Sequence, residues 1–213
     1  MPDAPGPRLL RIRPEDSCTW GAAVVESAAA LALGEIVVLP AEGLYGYHVR
    51  PDRPEALRRL HAAKPREAGR GWILLVDDPA ALDRWDPPPH AALRALAARH
   101  WPGALTLVAP APDSIPAALR ASDGTVAVRC PGNAFLRDVV RASGGALLTT
   151  SANRPGEPAP ARIEDAALVG VALAVDAGAL SGRPSTLATV DGSTVRVLRE
   201  GSVVLADIGG DET

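Results

Sequence analysis

Short apolar runs alternate along the chain with longer segments in which apolar residues recur every three or four positions. The runs predict buried β-strands, and the longer segments predict helices with one apolar face. Predicted helices cover residues 18–33, 54–63, 90–100, 133–143 and 163–168. Predicted strands cover residues 35–39, 72–76, 104–109, 125–129, 146–149, 171–175, 186–190 and 195–198. This alternation is typical of an α/β fold in which helices cover a sheet.

The spacing of these elements predicts one domain. Proline-rich breaks at 86–89 and 110–116 are interpreted as loops, because strands continue on both sides at the same spacing. Asp191 and Gly192, between the last two strands, indicate a hairpin. We expect the domain to span residues 1–206, and residues 207–213 to form a flexible acidic tail.

Composition and charge narrow the class of protein. Hydrophobic residues make up 47% of the 213 positions and charged residues 22%, which is ordinary for a soluble enzyme. The formal net charge of −3 argues against a general nucleic-acid binder, so any RNA contact would need a local basic face. No apolar run reaches the roughly 18 residues of a membrane span, and the N-terminus lacks the apolar stretch of a signal peptide. We therefore expect a cytoplasmic protein. Cys18 and Cys130 show no metal-ligand spacing, and no metal held by protein ligands is predicted.

Lys64 is the single lysine among 22 lysine and arginine residues. It follows a predicted helix and is followed closely by Arg66, Gly69 and Arg70. A short cationic loop that contains glycine suits a polyanion such as a nucleotide phosphate. The alternative is a solvated lysine at a helix end.

Three further polar segments flank predicted strands, where α/β proteins tend to bind their ligands. The first segment, residues 40–48, contains two glycines and two tyrosines. The second, residues 149–158, begins with three hydroxyl residues and an amide. The third comprises residues 182–186 together with Arg199, which follows the predicted hairpin. Hydroxyl and amide groups can bind phosphate or ribose without net charge. His48 is interpreted as structural.

Each of these segments has an ordinary alternative. The first could be a turn whose tyrosines cap the core, the second an Asx-turn or helix cap, and Arg199 a surface residue. The chain has no Walker A loop, dinucleotide fingerprint, nucleophile elbow or zinc-binding helix motif. A nucleotide-handling enzyme with an unusual phosphate cradle fits best.

Taken together, these segments resemble the YrdC/TsaC family of L-threonylcarbamoyladenylate synthases. Seven short motifs occur in the family's order between residues 35 and 201. They are Pro-x-Glu-x-x-Tyr-Gly at 40–46, Lys-x-Arg at 64–66, Trp-Pro-Gly-x-x-Thr at 101–106, Ala-Val-Arg at 127–129, Thr-Ser-Ala-Asn-x-x-Gly-x-Pro at 150–158, Pro-Ser-Thr at 184–186 and Arg-x-Gly at 199–201.

The resemblance implies an α/β fold with a twisted, mixed sheet, flanked by helices, around a cationic cavity. It also implies a nucleotidyltransferase that converts L-threonine, bicarbonate and ATP, with Mg²⁺, to threonylcarbamoyl-AMP and pyrophosphate. A threonylcarbamoyl transferase complex would then modify N6 of adenosine 37 in tRNA. We expect the short form of the family, without its additional C-terminal domain.

The resemblance also assigns roles to residues. Lys64 and Arg66 would be catalytic, and Arg129 would hold the threonine carboxylate. ATP would be held by Lys64, Arg66, Arg70, Thr125, Ser151, Asn153 and Arg199. Threonine would be surrounded by Tyr45, Arg129, Thr149 and Ser185.

The chain departs from the family pattern in the expected amino-acid pocket. Many members carry threonine where this chain has Ala41 and Gly43, and many long-form members carry histidine where it has Leu75. One alternative is therefore a paralogue that uses another amino-acid or carbamoyl substrate. A second alternative is a non-catalytic module that binds RNA.

Overall fold

The computed structural model describes residues 6–65, 72–84, 89–192 and 194–205. The strands are β1 Arg8–Arg11, β2 Ile36–Pro40, β3 Tyr45–Val49, β4 Ile73–Val76, β5 Leu105–Pro110, β6 Thr125–Arg129, β7 Ala146–Ser151, β8 Val171–Asp176, β9 Thr186–Asp191 and β10 Thr194–Arg199. The α-helices are α1 Ser17–Ala32, α2 Pro54–Ala63, α3 Ala91–His100 and α4 Ala134–Ala142. Single 3₁₀ segments occur at Pro79–Arg84, Ala117–Leu119 and Ile163–Asp165.

All ten strands form one sheet in the order β1-β8-β2-β3-β7-β4-β6-β5-β9-β10. The sheet is mixed: β8 pairs in parallel with β1 and β2, and β4 pairs in parallel with β6, whereas β3 is antiparallel to both β2 and β7. The arrangement confirms the predicted α/β fold with a mixed sheet flanked by helices. It also brings the ends of strands that are distant in sequence to the same region.

Both faces of the sheet are buried. Along β2, Ile36 and Val38 pack into one apolar cluster with α2, whereas Val37 and Leu39 pack into another with α4. The two-faced burial explains why β2 is apolar at successive positions instead of alternating positions. Helix α1 packs beside α4, where the rings of Trp20 and Phe135 meet edge to face at 5.3 Å.

Several predicted elements need correction. The polar loop predicted over 40–48 is only partly a loop, because its second half belongs to β3, Tyr45–Val49. Residues 8–11 form β1, which the sequence did not predict. The helix predicted over 163–168 is a single 3₁₀ turn over Ile163–Asp165. The predicted hairpin is confirmed by the antiparallel pairing of β9 and β10. The predicted tail at 207–213 lies outside the described residues.

In the part of the chain described above, none of the helices combines the length and apolar character needed to cross a bilayer.

Candidate active site

A cavity of about 690 Å³ opens where the β2–β3 turn, the ends of β6 and β7, and residues 182–185 converge. This volume lies within the range of small-molecule binding sites. The pairing of β3 with β7 places Gly46 opposite Ser151, so the turn after β2 and the loop after β7 share one rim. The topology of the sheet therefore gathers the polar segments that the sequence singled out.

Lys64 joins α2 to the loop after β7. Its ammonium donates hydrogen bonds to the carbonyl oxygen of Ser151 at 2.6 Å, to Ser151 Oγ at 2.9 Å and to Asn153 Oδ1 at 2.7 Å. The amide of Asn153 donates to the carbonyl oxygens of Arg154 and Glu157, which fixes its orientation. Lys64 is 8% exposed, so its charge is held at a defined place at the cavity wall.

A second cationic group lies around Ser185. Arg199, at the end of β10, donates through Nη2 to the Ser185 carbonyl oxygen at 2.9 Å and to Ser185 Oγ at 3.2 Å. Ser185 Oγ also lies 2.8 Å from Thr106 Oγ1. Burial lowers the pKa of Arg199, and the neighbouring positive charge of Arg129 lowers it further. Two partly desolvated guanidinium groups so close together make this part of the cavity attractive to an anion.

Arg129, at the end of β6, is buried and has one acidic neighbour. Its Nη1 lies 3.3 Å from Oε2 of Glu42, and the backbone N–H of Gly132 donates to the other carboxylate oxygen. The Nε of Arg129 is buried and has no hydrogen-bond partner. The guanidinium therefore retains capacity to donate hydrogen bonds to a ligand.

Tyr45 and Thr149 complete the wall. The Tyr45 hydroxyl donates to the carbonyl oxygen of Gly178 at 2.7 Å and accepts from the N–H of Ala177 at 3.0 Å. Burial raises the pKa of Tyr45 to about 12, so the phenol stays neutral, and Tyr45 is one of the residues that line the cavity. Thr149 Oγ1 lies 3.1 Å from Nε2 of the buried His48, which fixes the hydroxyl.

Most of the predicted site residues that the structure describes line this one cavity. They are Tyr45, Lys64, Arg129, Thr149, Ser151, Asn153, Ser185 and Arg199. Thr125 does not line it: its hydroxyl donates to Asp123 Oδ1 at 2.6 Å, at the opposite end of β6 from Arg129. Arg66 and Arg70 lie outside the described residues.

The lining residues that were not predicted as functional include Glu42, Gly43 and Arg183. Glu42 belongs to the motif at 40–46 and is the only acidic residue in that segment, which is a signal that could have identified it. Gly43 is buried beneath residues 181–183, and its carbonyl oxygen accepts from the N–H of Gly182 at 2.9 Å. These contacts join positions about 140 residues apart and carry no signal in the sequence.

Among the described side chains, no group of three or more histidine, cysteine, aspartate or glutamate residues is arranged to hold a metal ion. Glu42 is the only carboxylate among the described residues that line the cavity.

His48 should make the stability of the protein depend on pH. Burial lowers the pKa of His48 from 6.5 to about 3, with a further contribution from the charge of Arg129. Below pH 6.5 the unfolded chain binds a proton that the folded protein rejects, so the free energy of unfolding falls by up to about 1.4 kcal/mol per pH unit. This loss continues as the pH falls toward about 3.

Urea unfolding of the wild type and of His48→Gln between about pH 7 and pH 4 tests this expectation. Glutamine does not titrate and can still bond to Thr149, so the variant should lose stability less steeply in that window. Parallel curves for the two proteins would show that His48 is not the group responsible.

Comparison with known proteins identifies the family to which the chain belongs. The sequence model of the Sua5/YciO/YrdC family, described as telomere recombination, matches residues 29–201. The threonylcarbamoyl-AMP synthase of Chromohalobacter salexigens is 36% identical over 177 residues, which cover 81% of this chain and 96% of that relative.

Two solved structures share the fold. The crystal structure of P. abyssi Sua5 complexed with L-threonine superposes with a TM-score of 0.80 at 26% identity, covering 91% of this chain and 57% of that one. This chain thus spans little more than half the length of that Sua5. The crystal structure of E. coli YciO also gives a TM-score of 0.80, at 22% identity, over 92% of this chain and 96% of its own. With a family match that includes every cavity-lining segment, the chain belongs to the Sua5/YciO/YrdC family.

Proposed function

We propose that the protein is a threonylcarbamoyl-AMP synthase, which converts L-threonine, bicarbonate and ATP to L-threonylcarbamoyl-AMP and pyrophosphate. The observation that carries this proposal is a single cavity with two cationic groups, Lys64 at one wall and the pair Arg129 and Arg199 at another. The reaction requires two anionic reactants to be held together. The name of the C. salexigens relative supports the same activity.

The steps of the reaction explain why a cavity lined by cationic groups could catalyse it. The threonine ammonium first loses a proton to solvent water. The neutral amine then attacks bicarbonate with release of water, or adds to CO₂ derived from bicarbonate and releases a second proton to water. An oxygen of the resulting carbamate attacks the α-phosphate of ATP while pyrophosphate leaves. Both reactants are anionic, so catalysis consists largely of holding them in line and stabilising the negative charge that develops. A protein general base is not required by this scheme.

Each cationic group has a proposed task. Lys64, held by Ser151 and Asn153, faces the phosphates, and its ammonium can exchange one of these acceptors for a phosphate oxygen. The Arg129 guanidinium, with its unused buried Nε, binds the threonine carboxylate as a fork. Arg199 and Ser185 are hydrogen-bonded to each other, and this pair can bind either a phosphate of ATP or the threonine carboxylate.

Mg²⁺ enters this proposal with the nucleotide. Mg²⁺ keeps several waters and binds mainly through substrate phosphates, with one or two protein oxygens. The cavity fits that mode, because Glu42 is its only described carboxylate and the hydroxyl of Ser151 is a further oxygen at the wall. Mg²⁺ would neutralise part of the triphosphate charge, and the protein residues would set the positions of the reactants.

A partner is also part of the proposal. Threonylcarbamoyl-AMP is a reactive mixed anhydride, and a tRNA-modifying threonylcarbamoyl transferase complex would consume it to modify adenosine 37 of tRNA.

The activity has a direct test. Purified protein with ATP, Mg²⁺ and bicarbonate should release pyrophosphate on addition of L-threonine, and mass spectrometry should detect threonylcarbamoyl-AMP. Serine lacks one methyl group, so its kcat/KM should be about 10- to 200-fold lower. If ATP binds but threonine does not stimulate pyrophosphate release, the proposal fails. A different amino acid that outperforms threonine would identify a paralogue with another substrate.

A further inference from the structure

Glu42 has an unusual position for an acidic residue. It lies in the turn between β2 and β3, about a fifth of its side chain is accessible, and it lines a cavity that otherwise attracts anions. An acidic group lowers the affinity of such a site for phosphate and carboxylate. A structural or functional reason must therefore offset this cost.

The carboxylate is firmly placed. Its Oε1 accepts a hydrogen bond from the N–H of Gly132, in the loop that follows Arg129. Its Oε2 lies 3.3 Å from Arg129 Nη1 and is buried without a hydrogen bond. An ionised carboxylate offers about four lone-pair sites, and the accessible fifth of the Glu42 side chain is the part that a donor in the cavity can reach.

The neighbouring charges show which donor fits. Arg199 lies beside Ser185 and Arg129 lies beside Glu42, so a substrate carboxylate bound to Arg129 lies next to the Glu42 carboxylate. In an α-amino acid, a single carbon separates the amino group from the carboxylate. A substrate whose carboxylate pairs with Arg129 therefore brings its amino group within reach of Glu42. The negative carboxylate of the substrate would then face the positive Arg129, and its positive amino group would face the negative Glu42.

We propose that Glu42 binds the amino group of the amino-acid substrate and holds it in position for carboxylation. The inference rests on the proposed function, because it assigns the orientation of threonine in the same cavity. It makes Glu42 a determinant of specificity for α-amino acids over hydroxy acids. It also explains why an acidic residue is placed within a cationic site.

A purely structural role gives a different expectation. If Glu42 served only to hold Arg129 and Gly132, its replacement would weaken the binding of every carboxylate that uses Arg129, with or without an amino group. The two roles are therefore separated by a ligand that differs from threonine only at the amino group. The compound 2,3-dihydroxybutanoate of matching configuration, with a hydroxyl in place of the amine, is such a ligand.

Calorimetric titration of both ligands into the wild type and Glu42→Gln provides the test. Glutamine keeps an oxygen that can accept from the Gly132 N–H but loses the charge. We expect threonine to bind about tenfold or more weakly to the variant, as for a lost hydrogen bond to a charged group. The affinity for 2,3-dihydroxybutanoate should not fall and should rise, because the substitution removes a negative charge that opposes the binding of a carboxylate at Arg129. Glu35→Gln, which removes a surface carboxylate paired with Arg59 at 2.8 Å, is the matched control and should change neither affinity.

The outcomes separate the inference from the proposed function. Equal losses for both ligands, or no loss for threonine, would overturn the role of Glu42. Failure of the wild type to bind threonine would instead overturn the proposed function. If Glu42→Gln does not fold, Glu42→Asp keeps the charge and should still prefer threonine to 2,3-dihydroxybutanoate, as the wild type should. Absence of that preference in both proteins would overturn the inference.

Discussion

Replacing Lys64 by arginine should reduce kcat/KM for ATP by about 100-fold or more, although the positive charge is kept. Lys64 is 8% exposed, and its ammonium donates to three oxygens within 3 Å, on Ser151 and Asn153. A guanidinium is planar and larger, so it cannot point three hydrogen bonds at acceptors that surround a single nitrogen atom. The side chain would be displaced, and the loop after β7 would move with it.

The measurement is the rate of pyrophosphate release at varied ATP for the wild type, Lys64→Arg and Lys64→Ala. Lys64→Ala leaves buried acceptors without a donor and should be at least as defective. The matched control is the reverse exchange on the same helix, Arg58→Lys, at an exposed position. It should retain activity within about twofold. Wild-type activity in Lys64→Arg would show that only the charge at this position matters.

The alternation of apolar and mixed segments predicted much of the fold because burial follows local pattern. Strand β2 illustrates this, since successive residues of its apolar run pack on opposite faces of the sheet. Strand β3 did not show such a pattern, because tyrosine, glycine and histidine interrupt it. The hydroxyls of Tyr45 and Tyr47 and the Nε2 atom of His48 find hydrogen-bond partners in other elements, which helps a polar-looking segment to be buried between β2 and β7. Such partners cannot be identified before the sheet order is known.

In the candidate site, too, local motifs could be predicted from the sequence but long-range contacts could not. The sequence motifs predicted which strand ends carry site residues. The resemblance to a known family showed that these motifs belong to one site. The contacts that fix the site are long-range: Lys64 meets residues 87 and 89 positions away, and Glu42 meets Gly132 at a separation of 90. No local pattern specifies these pairs. Thr125 is the opposite case: the resemblance assigned its hydroxyl to ATP, whereas in the structure that hydroxyl donates to Asp123 at the other end of β6 from Arg129 and Thr125 does not line the cavity.

Gly43→Ala should nearly abolish activity, even though the family often carries a larger residue at this position. A Cβ atom at Gly43 would lie 2.0 Å from the carbonyl oxygen of Arg183 and 2.8 Å from Ser181 Oγ. The first contact is with backbone, so the segment at 181–183 must move to relieve it. This segment leads directly to Ser185, which accepts hydrogen bonds from Arg199. A shift of about 1 Å at a reacting centre can cost about 100-fold in rate, and we expect a loss of that size.

The same clash should destabilise the protein by about 1–3 kcal/mol, which urea unfolding would measure. Gly21→Ala is the matched control, because it makes the identical substitution in α1 with nothing within 4 Å of the added atom. In a helix interior it should raise the free energy of unfolding by about 0.5–1 kcal/mol and leave activity unchanged.

Gly43→Thr, which introduces the residue common in the family, should be less active and less stable than Gly43→Ala, because its additional atoms must fit into the same occupied space. If both Gly43 variants were active and stable, residues 181–183 would have to move aside at little cost in free energy. The glycine would then be a neutral departure from the family pattern and would place no constraint on the amino-acid pocket.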